Sequence, residues 1–502
     1  MAQWKFMGTT AVAALLIGNA ALADVTPEQV WENWKALSTS QGSTMTTQSE
    51  SREGDTLIVR GVSAITTNPQ IDVTATMDEL RLRDRGDGSV EMTMSDSAKV
   101  VLRAAGAEGE GDTLITLGVG HPGLVTTVSG TAEEMRHDLV GPTVKVTVDD
   151  IQGPDMKPAD VQVEAVVTNL TGSSLVTGTA ERTVTSNFAA DGLTLTVRGT
   201  DPADDSNKVD ANLTMTGLSG LSTSKLVGDM ADLPAALRAG TAMEGSFSFG
   251  GANAAISVIE ADAETKMTGS NAGGDLTFAM SAAGLTYGGG AREAKVSISG
   301  DQIPVPQVDI SYKEAAFNLV MPILKSDSPS DFAFLTRVVD LTISDEIWAM
   351  FDPTSQLPRD PVTVVLDTKG TATLNADLTD EAALAGLDGA PGELHSLDLN
   401  ALQLKIAGAE LTGDGALTFD NTDTTTFEGV PAPSGKVNLM ATGVNGLLDK
   451  LMAMGLVPED QMMGARMMLG MFAKVDPATA DTMTSEIEFT DKHLFVNGMQ
   501  IQ

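Results

Sequence analysis

Gly192-Leu-Thr-Leu-Thr-Val-Arg-Gly199 alternates apolar and polar side chains between two glycines. In an extended chain successive side chains point to opposite faces, so Leu193, Leu195 and Val197 share one face and Thr194, Thr196 and Arg198 the other. The segment reads as a strand with one buried face. Gly54-Asp-Thr-Leu-Ile-Val-Arg-Gly61 resembles it at an offset of 192 − 54 = 138 residues. With that offset and no gap, Asp72 falls on Asp210, Thr76 on Thr214, Met77 on Met215 and Leu80 on Leu218. A second block in the register of the first indicates a duplicated β-meander, one copy from about Thr44 and the other from about Thr183.

The alternation extends outward from these blocks. Leu80-Arg-Leu-Arg83 and Val90-Glu-Met-Thr-Met94 flank Arg85-Gly86-Asp87-Gly88, the pattern of a β-hairpin. Val144-Lys-Val-Thr-Val148, Val161-Gln-Val-Glu-Ala-Val166 and Val296-Ser-Ile-Ser299 continue it. One face of each strand is apolar and the other polar, so the sheets are covered on one side only. Thr26-Pro27-Glu28-Gln29 opens a helix through a capping box, and Val30, Trp31, Trp34 and Leu37 form its apolar stripe. Beyond Lys325 the pattern predicts a helix from Ser328-Pro329 carrying Phe334, Leu335, Val338 and Val339. A short helix capped by Ser344, with Ile347, Trp348 and Phe351, should follow, then strands from Val362. Gly443 to Lys474 reads as a helical hairpin broken near Gly455 to Pro458, and Ile487-Glu-Phe489 and Leu494-Phe-Val496 as closing strands.

Composition sets the setting. Lys5, an apolar run from Ala11 to Ile17 and Ala21-Leu22-Ala23 before Asp24 have the order of a secretory leader cleaved after Ala23. The run is too short for a membrane anchor, and nothing after it approaches the roughly 18 apolar residues a spanning helix needs. With no cysteine there is no disulfide or thiolate chemistry, so core packing alone must stabilise the fold. The net charge of −37 repels phosphate backbones and anionic lipid headgroups alike, and excludes nucleic acid as a partner. Two tyrosines and four tryptophans do not supply the aromatic girdles of an outer-membrane barrel.

Each fragment that resembles a catalytic or metal motif has a simpler structural explanation. His121, His137, His395 and His493 are too scattered for a local zinc motif. Glu133-Glu134-Met-Arg-His137 is the nearest approach to an acid/base cluster, and alternation places it on a strand surface. Ser222-Thr-Ser-Lys225 matches the serine-acylase spacing without its partner motifs and is expected to be a turn. Gly118-Val-Gly-His-Pro-Gly123 has dinucleotide spacing, but strand-like Leu124-Val-Thr-Thr-Val128 follows it where a helix is required, so a hairpin turn is expected. Asp201 to Asn207 and Asp420 to Asp423 are acidic turns lacking the twelve-residue calcium loop. The methionines are the most distinctive group: Met463, Met467 and Met471 share one helical face at i, i+4, i+8. Thioethers suit copper(I), but no histidine supports them, and the expected role is packing or an apolar ligand or partner surface.

Ser344-Asp-Glu-Ile-Trp-Ala-Met-Phe-Asp-Pro353, followed by Leu357-Pro-Arg-Asp-Pro361, resembles the signature of an uncharacterised alphaproteobacterial envelope family, domain of unknown function 2125. The hairpin before Lys474, the ending Leu494-Phe-Val-Asn-Gly498 and the helix of Trp31 and Trp34 are also similar to it, best over about 328–502. The family brings no catalytic residues. By looser analogy the meanders resemble envelope proteins of the AsmA type, whose elongated sheets carry an apolar groove, and fold alone does not fix function.

The expected fold is mainly β with a few helices (α+β): elongated antiparallel meanders, an N-terminal helix and a C-terminal helical hairpin. The expected divisions are a leader (1–23), a helix (24–42), two meander copies (43–182 and 183–325) and a C-terminal β domain with helices (326–502). The expected role is that of a non-catalytic periplasmic envelope protein without cofactor or metal, binding lipid or an apolar client in a sheet groove, with lipid or an envelope protein as the expected partner. A periplasmic hydrolase using paired carboxylates and a structural or calcium-stabilised surface module are the alternatives.

Overall fold

A computed structural model describes residues 24–40, 42–67, 71–105, 111–153, 161–178, 181–201, 204–228, 232–387, 389–479 and 481–502. The expected leader, residues 1–23, lies outside the described residues. The alternating segments become strands of one sheet, in which each neighbouring pair is antiparallel.

α1 (Pro27–Ser40) begins with the expected reciprocal cap: Thr26 N–H donates to Gln29 Oε1 at 3.0 Å and Gln29 N–H to Thr26 Oγ1 at 3.2 Å. β1 (Ser43–Thr46) and β2 (Ser49–Glu53) then lie end to end along β3 (Thr56–Thr66), which pairs with β4 (Ile71–Asp84). The next row is split. β5 (Val90–Met94) pairs with the C-terminal part of β4 and β6 (Ser97–Ala104) with its N-terminal part. β7 (Thr113–Gly120) pairs with β6, β8 (Val125–Gly130) pairs with β5, and β9 (Glu134–Gln152) spans both. The β4–β5 turn is the expected hairpin, with Asp84 accepting from Gly86 N–H and Asp87 from Ser89 N–H.

Three long strands follow, β10 (Val161–Thr177), β11 (Arg182–Thr200) and β12 (Lys208–Leu226). The split arrangement then recurs. After α2 (Leu233–Arg238), β13 (Ala242–Phe249) and β14 (Gly251–Glu260) share the free edge of β12. β15 (Ala263–Asn271) and β16 (Gly274–Ser281) pair with β14 and β13, and β17 (Gly284–Gly300) spans both. β4 changes partner at Asp78 and β12 at Gly217, an offset of 217 − 78 = 139, one residue from the repeat read in the sequence. The partner changes along β4 and β12 are thus alike in layout, one residue off the register of the sequence match. The Gly54–Gly61 block is not in the same register: Arg60 faces Glu79, whereas Arg198 (60 + 138) faces Asp210 and not Gly217 (79 + 138).

β18 (Val308–Met321), β19 (Ser330–Ile343), α3 (Asp345–Phe351), β20 (Val362–Leu374), α4 (Glu381–Ala385), β21 (Gly392–Ile406), β22 (Ala409–Asp420) and β23 (Ala432–Thr442) continue the meander. The helical hairpin is α5 (Val444–Ala453) and α6 (Glu459–Phe472). β24 (Lys474–Val475), β25 (Thr482–Thr490), β26 (His493–Val496) and β27 (Met499–Gln500) close the chain. The sheet runs unbroken past residues 182/183 and 325/326, since β10 pairs with β11 and β18 with β19 along their lengths. Among the described residues no helix is long and apolar enough to cross a membrane.

One expected helix is a strand. Ser328–Val339 does not coil; it contributes most of β19 and pairs on both edges. The spacing of Phe334, Leu335, Val338 and Val339 suits a helix, but Phe332, Phe334, Thr336 and Val338 also suit one strand face. Pairing between β18 and β20, together with β-branched Thr336, Val338 and Val339, decides for the strand.

Candidate functional site

In an antiparallel sheet directly opposed residues project to the same face, so the register identifies what each face presents. One row of opposed residues crosses most of the sheet. From β3 it passes Leu57, Leu82, Met92, Thr126, Leu139, Gly172, Phe188, Gly220, Phe247 and Leu276. It continues through Gly289, Phe317, Thr336, Leu366, Leu402, Gly413 and Leu439 to Ser485. The row is apolar or glycine at all but three positions. The row one residue away, on the opposite face, passes Asp138, Ser173, Asn187, Leu221, Ser246, Thr277, Gly288, Asn318, Leu335 and Asp367. That face is largely polar.

Helices cover both ends of the apolar face. At the first, α1 buries Val30 and Trp31 against Val59, Leu80, Leu82, Met92, Val128 and Met135. Trp31 Nε1–H donates to Glu50 Oε1 at 2.9 Å, which satisfies the ring's one polar group inside the core. At the other end, Trp348 and Leu357 cluster with Ala407, flanked by Leu447 and Leu451 of α5. α2 sits at one lip, its Leu237 packed on Ile323 and Leu324 beside Met280, Leu285 and Met321.

Between these covers the face is open. Phe188, Leu276, Phe278, Tyr287, Phe317 and Phe334 are each 37% to 44% exposed. Phe188 stacks on Phe247 with centroids 6.3 Å apart, and Tyr287 meets Phe317 at 5.1 Å. A hollow of ≈ 550 Å³ runs from Trp34 and Leu37 to Phe188, and one of ≈ 470 Å³ from Phe188 to Tyr287. Hollows of ≈ 400 Å³ beside α3 and ≈ 580 Å³ beneath α5 and α6 lie on the same face.

Several residues singled out by motif occupy other places than expected. His137 is not on the exposed strand surface: it lines the hollow under α1 with Leu139, and burial holds its imidazole below its ordinary pKa. Ser222 and Lys225 lie in β12, not in a turn, and their odd spacing along a strand sends them to opposite faces. Gly118 to Gly123 joins β7 to β8, which run end to end along β9 and do not form a hairpin. Met463, Met467 and Met471 are 66%, 64% and 55% exposed, on the side of α6 opposite Ala465, Leu469 and Phe472. Met468, not that trio, reaches the hollow.

Among the described residues two acids are buried, and both have structural partners. Burial opposes ionisation of Asp352, but the N–H groups of Gln356 and Leu357 donate to it at 2.9 and 2.8 Å and keep its carboxyl below the usual range. Asp423 is held well below that range by Lys492 Nζ at 2.6 Å, then by the Thr426 hydroxyl and N–H. Lys492 thus occupies the place where an acidic turn would accept a cation. Among the described residues no three histidine or acidic side chains converge as metal ligands.

The aromatic row was missed by sequence reasoning because its members lie on different strands and meet only through register. The available signal was Ser246-Phe-Ser-Phe249, where rings alternate with serine inside a strand.

These features define a one-sided antiparallel meander whose apolar face is capped at both ends and open between. Residues 254–501 match the model of a family described as "Uncharacterized protein conserved in bacteria (DUF2125)". The stretch that matches the family runs from within β14 to the end of the sheet. No curated protein and no solved structure matches it.

Proposed function

We propose that the chain is a non-catalytic protein of the bacterial envelope, exported to the periplasm, that holds lipid acyl chains along its apolar face. The leader-like pattern before Asp24 supports export. The observation that carries the ligand is the open stretch from Phe188 to Phe334, where a continuous apolar row stays exposed to water. Removing such surface from water yields about 25 cal/mol per Å², so a ligand lying along it gains affinity from every methylene it buries.

Hydrocarbon fits this surface better than an extended polypeptide. The strands beneath it are hydrogen-bonded on both sides, from β9 through β22. A peptide laid on the face would find no partner for its own N–H and C=O groups and would lose their hydration. An acyl chain has no such groups.

The test is native mass spectrometry, with lipid extraction, of the chain from Asp24 purified from envelopes. A Phe278→Asp/Phe317→Asp variant should lose the lipid while its thermal melt stays within a few degrees of wild type, because both rings are already partly hydrated. Wild-type protein free of lipid, or a variant carrying an equal load, overturns the reading.

A further inference from the structure

The cavity of ≈ 580 Å³ under α5 and α6 differs from the open groove in being roofed by helix. Leu411 and Leu439 form its floor, and Leu448, Met468, Leu469 and Phe472 its walls and roof. The polar groups at its margin are already engaged: Ser485 Oγ donates to the Phe472 carbonyl at 2.6 Å, and Asn497 Nδ2 donates to the same oxygen at 3.0 Å. Across the two helices only Met462 is fully buried, and α5 buries no residue, so the hairpin bridges the space without packing into it. Where helix and sheet stand apart, the apolar lining lacks the contacts a close-packed interior makes. The floor residue Leu439 belongs to the same register row as Phe188 and Phe317.

Resting on the lipid reading above, we infer that this cavity is a terminal seat for a single hydrocarbon chain, distinct from the open groove. The chain enters with its methyl end, and any charged or zwitterionic head stays outside. Free fatty acid and phospholipid share this chemistry. The volume lies within the range of small-ligand sites, and an apolar lining with its polar groups satisfied selects for chain and against head.

The experiment places a tryptophan reporter in each region of the full mature chain: Phe472→Trp in the seat and Phe317→Trp in the groove. Each is titrated with dibrominated stearate and, separately, with vesicles of dibrominated phosphatidylcholine, since bromine quenches only on contact. The Trp31, Trp34 and Trp348 background is subtracted using unsubstituted protein. Saturable quenching at position 472 by either ligand supports the seat, and the effective ligand identifies the source. Adding Ala465→Phe to fill the cavity should then reduce that quenching at least threefold and leave position 317 unchanged. Quenching at 317 alone overturns the seat and leaves the groove standing. Quenching at 472 alone does the reverse, and quenching at neither position overturns both.

Discussion

The ring of Phe188 lies over the backbone of Gly220 on the neighbouring strand, so close that a β-carbon added at Gly220 would sit 2.3 Å from Phe188 Cε1. Leu276 over Gly289, Phe332 over Gly370 and Leu439 over Gly413 repeat the relationship, with closest approaches of 2.7, 2.6 and 2.7 Å. A large side chain folded onto a facing glycine makes a smooth floor, since neither partner projects far from the sheet. At Gly220 and Gly413 the neighbouring side chain occupies the space a side chain of their own would need, and at Gly289 and Gly370 a carbonyl of the adjacent strand crowds it as well.

Gly220→Ala should therefore change the surface more than the stability. The displaced atom is the far edge of a half-exposed ring, free to swing outward, and alanine restricts the unfolded chain slightly. Loss of the Phe188–Phe247 stack costs about 1 kcal/mol. The urea midpoint should move by about that much or less, while binding of an apolar fluorescent dye weakens severalfold. Unchanged dye affinity would show that the rings do not form the floor.

Trp31→Ala tests whether α1 is an integral cover. Trp31 is buried, and its indole hydrogen bond to Glu50 ties the helix to β2. Truncating a buried tryptophan costs about 3–5 kcal/mol, and Glu50 would lose its donor as well. Urea unfolding followed by far-ultraviolet circular dichroism should register a loss of that order. A change below about 1 kcal/mol would mean that α1 is only loosely held.

How much of this could be read beforehand depended on whether the deciding contacts are local. The capping box at Thr26 and Gln29, the Arg85–Gly88 turn and the α5–α6 break at Gly455–Pro458 are set by neighbours within a few residues, and the sequence patterns placed them correctly. The strand at Phe334 was misread because a bulged strand and a helix share the same apolar spacing over one turn, and only pairing with Leu319 and Thr368 separates them. The groove was legible as one-sided alternation. Its aromatic row was not, because Phe188, Phe247 and Phe278 are brought together by register across β11, β13 and β16. Met463, Met467 and Met471 lie together on the exposed side of α6; which side of that helix the sheet would cover was beyond periodicity alone.

Asp377 should make the docking of α2 sensitive to acid. Arg238 donates to its carboxylate at 2.5 Å, and the Lys325 N–H donates at 2.7 Å, joining α2 to the segments after β18 and β20. The Arg238 bond is the main cause that holds this carboxyl below its ordinary value. Because the folded value lies below the unfolded value of about 3.9, the contribution is complete above that pH and drains away as pH falls through the folded value. Asp377→Asn should cost about 1 kcal/mol at pH 7, solvent screening at half-exposed Arg238 included. The cost should shrink as the pH is lowered below about 3.9, in urea melts run at pH 7 and at successively lower pH. An equal penalty at every pH would assign the loss to packing.

The methionine face of α6 gives the sharpest contrast between a surface and a core. Met463, Met467 and Met471 are more than half exposed, whereas Met462 on the same helix is 2% exposed. Substituting serine for all three should therefore cost about 0.5 kcal/mol, the scale of surface changes and helix propensity. Met462→Ala should cost about 2–5 kcal/mol, the scale of a core truncation. Thermal melts at low protein concentration measure both, and repeating them at high concentration adds a second reading. If the triple variant is as stable as wild type when dilute but lacks a concentration-dependent rise in melting temperature that wild type displays, the face mediates self-association, because binding that favours the folded state raises apparent stability by mass action. If neither protein responds to concentration, the stripe makes no contact with a second copy. A triple-variant loss comparable to that of Met462→Ala would contradict the placement of the stripe on the outer side of α6.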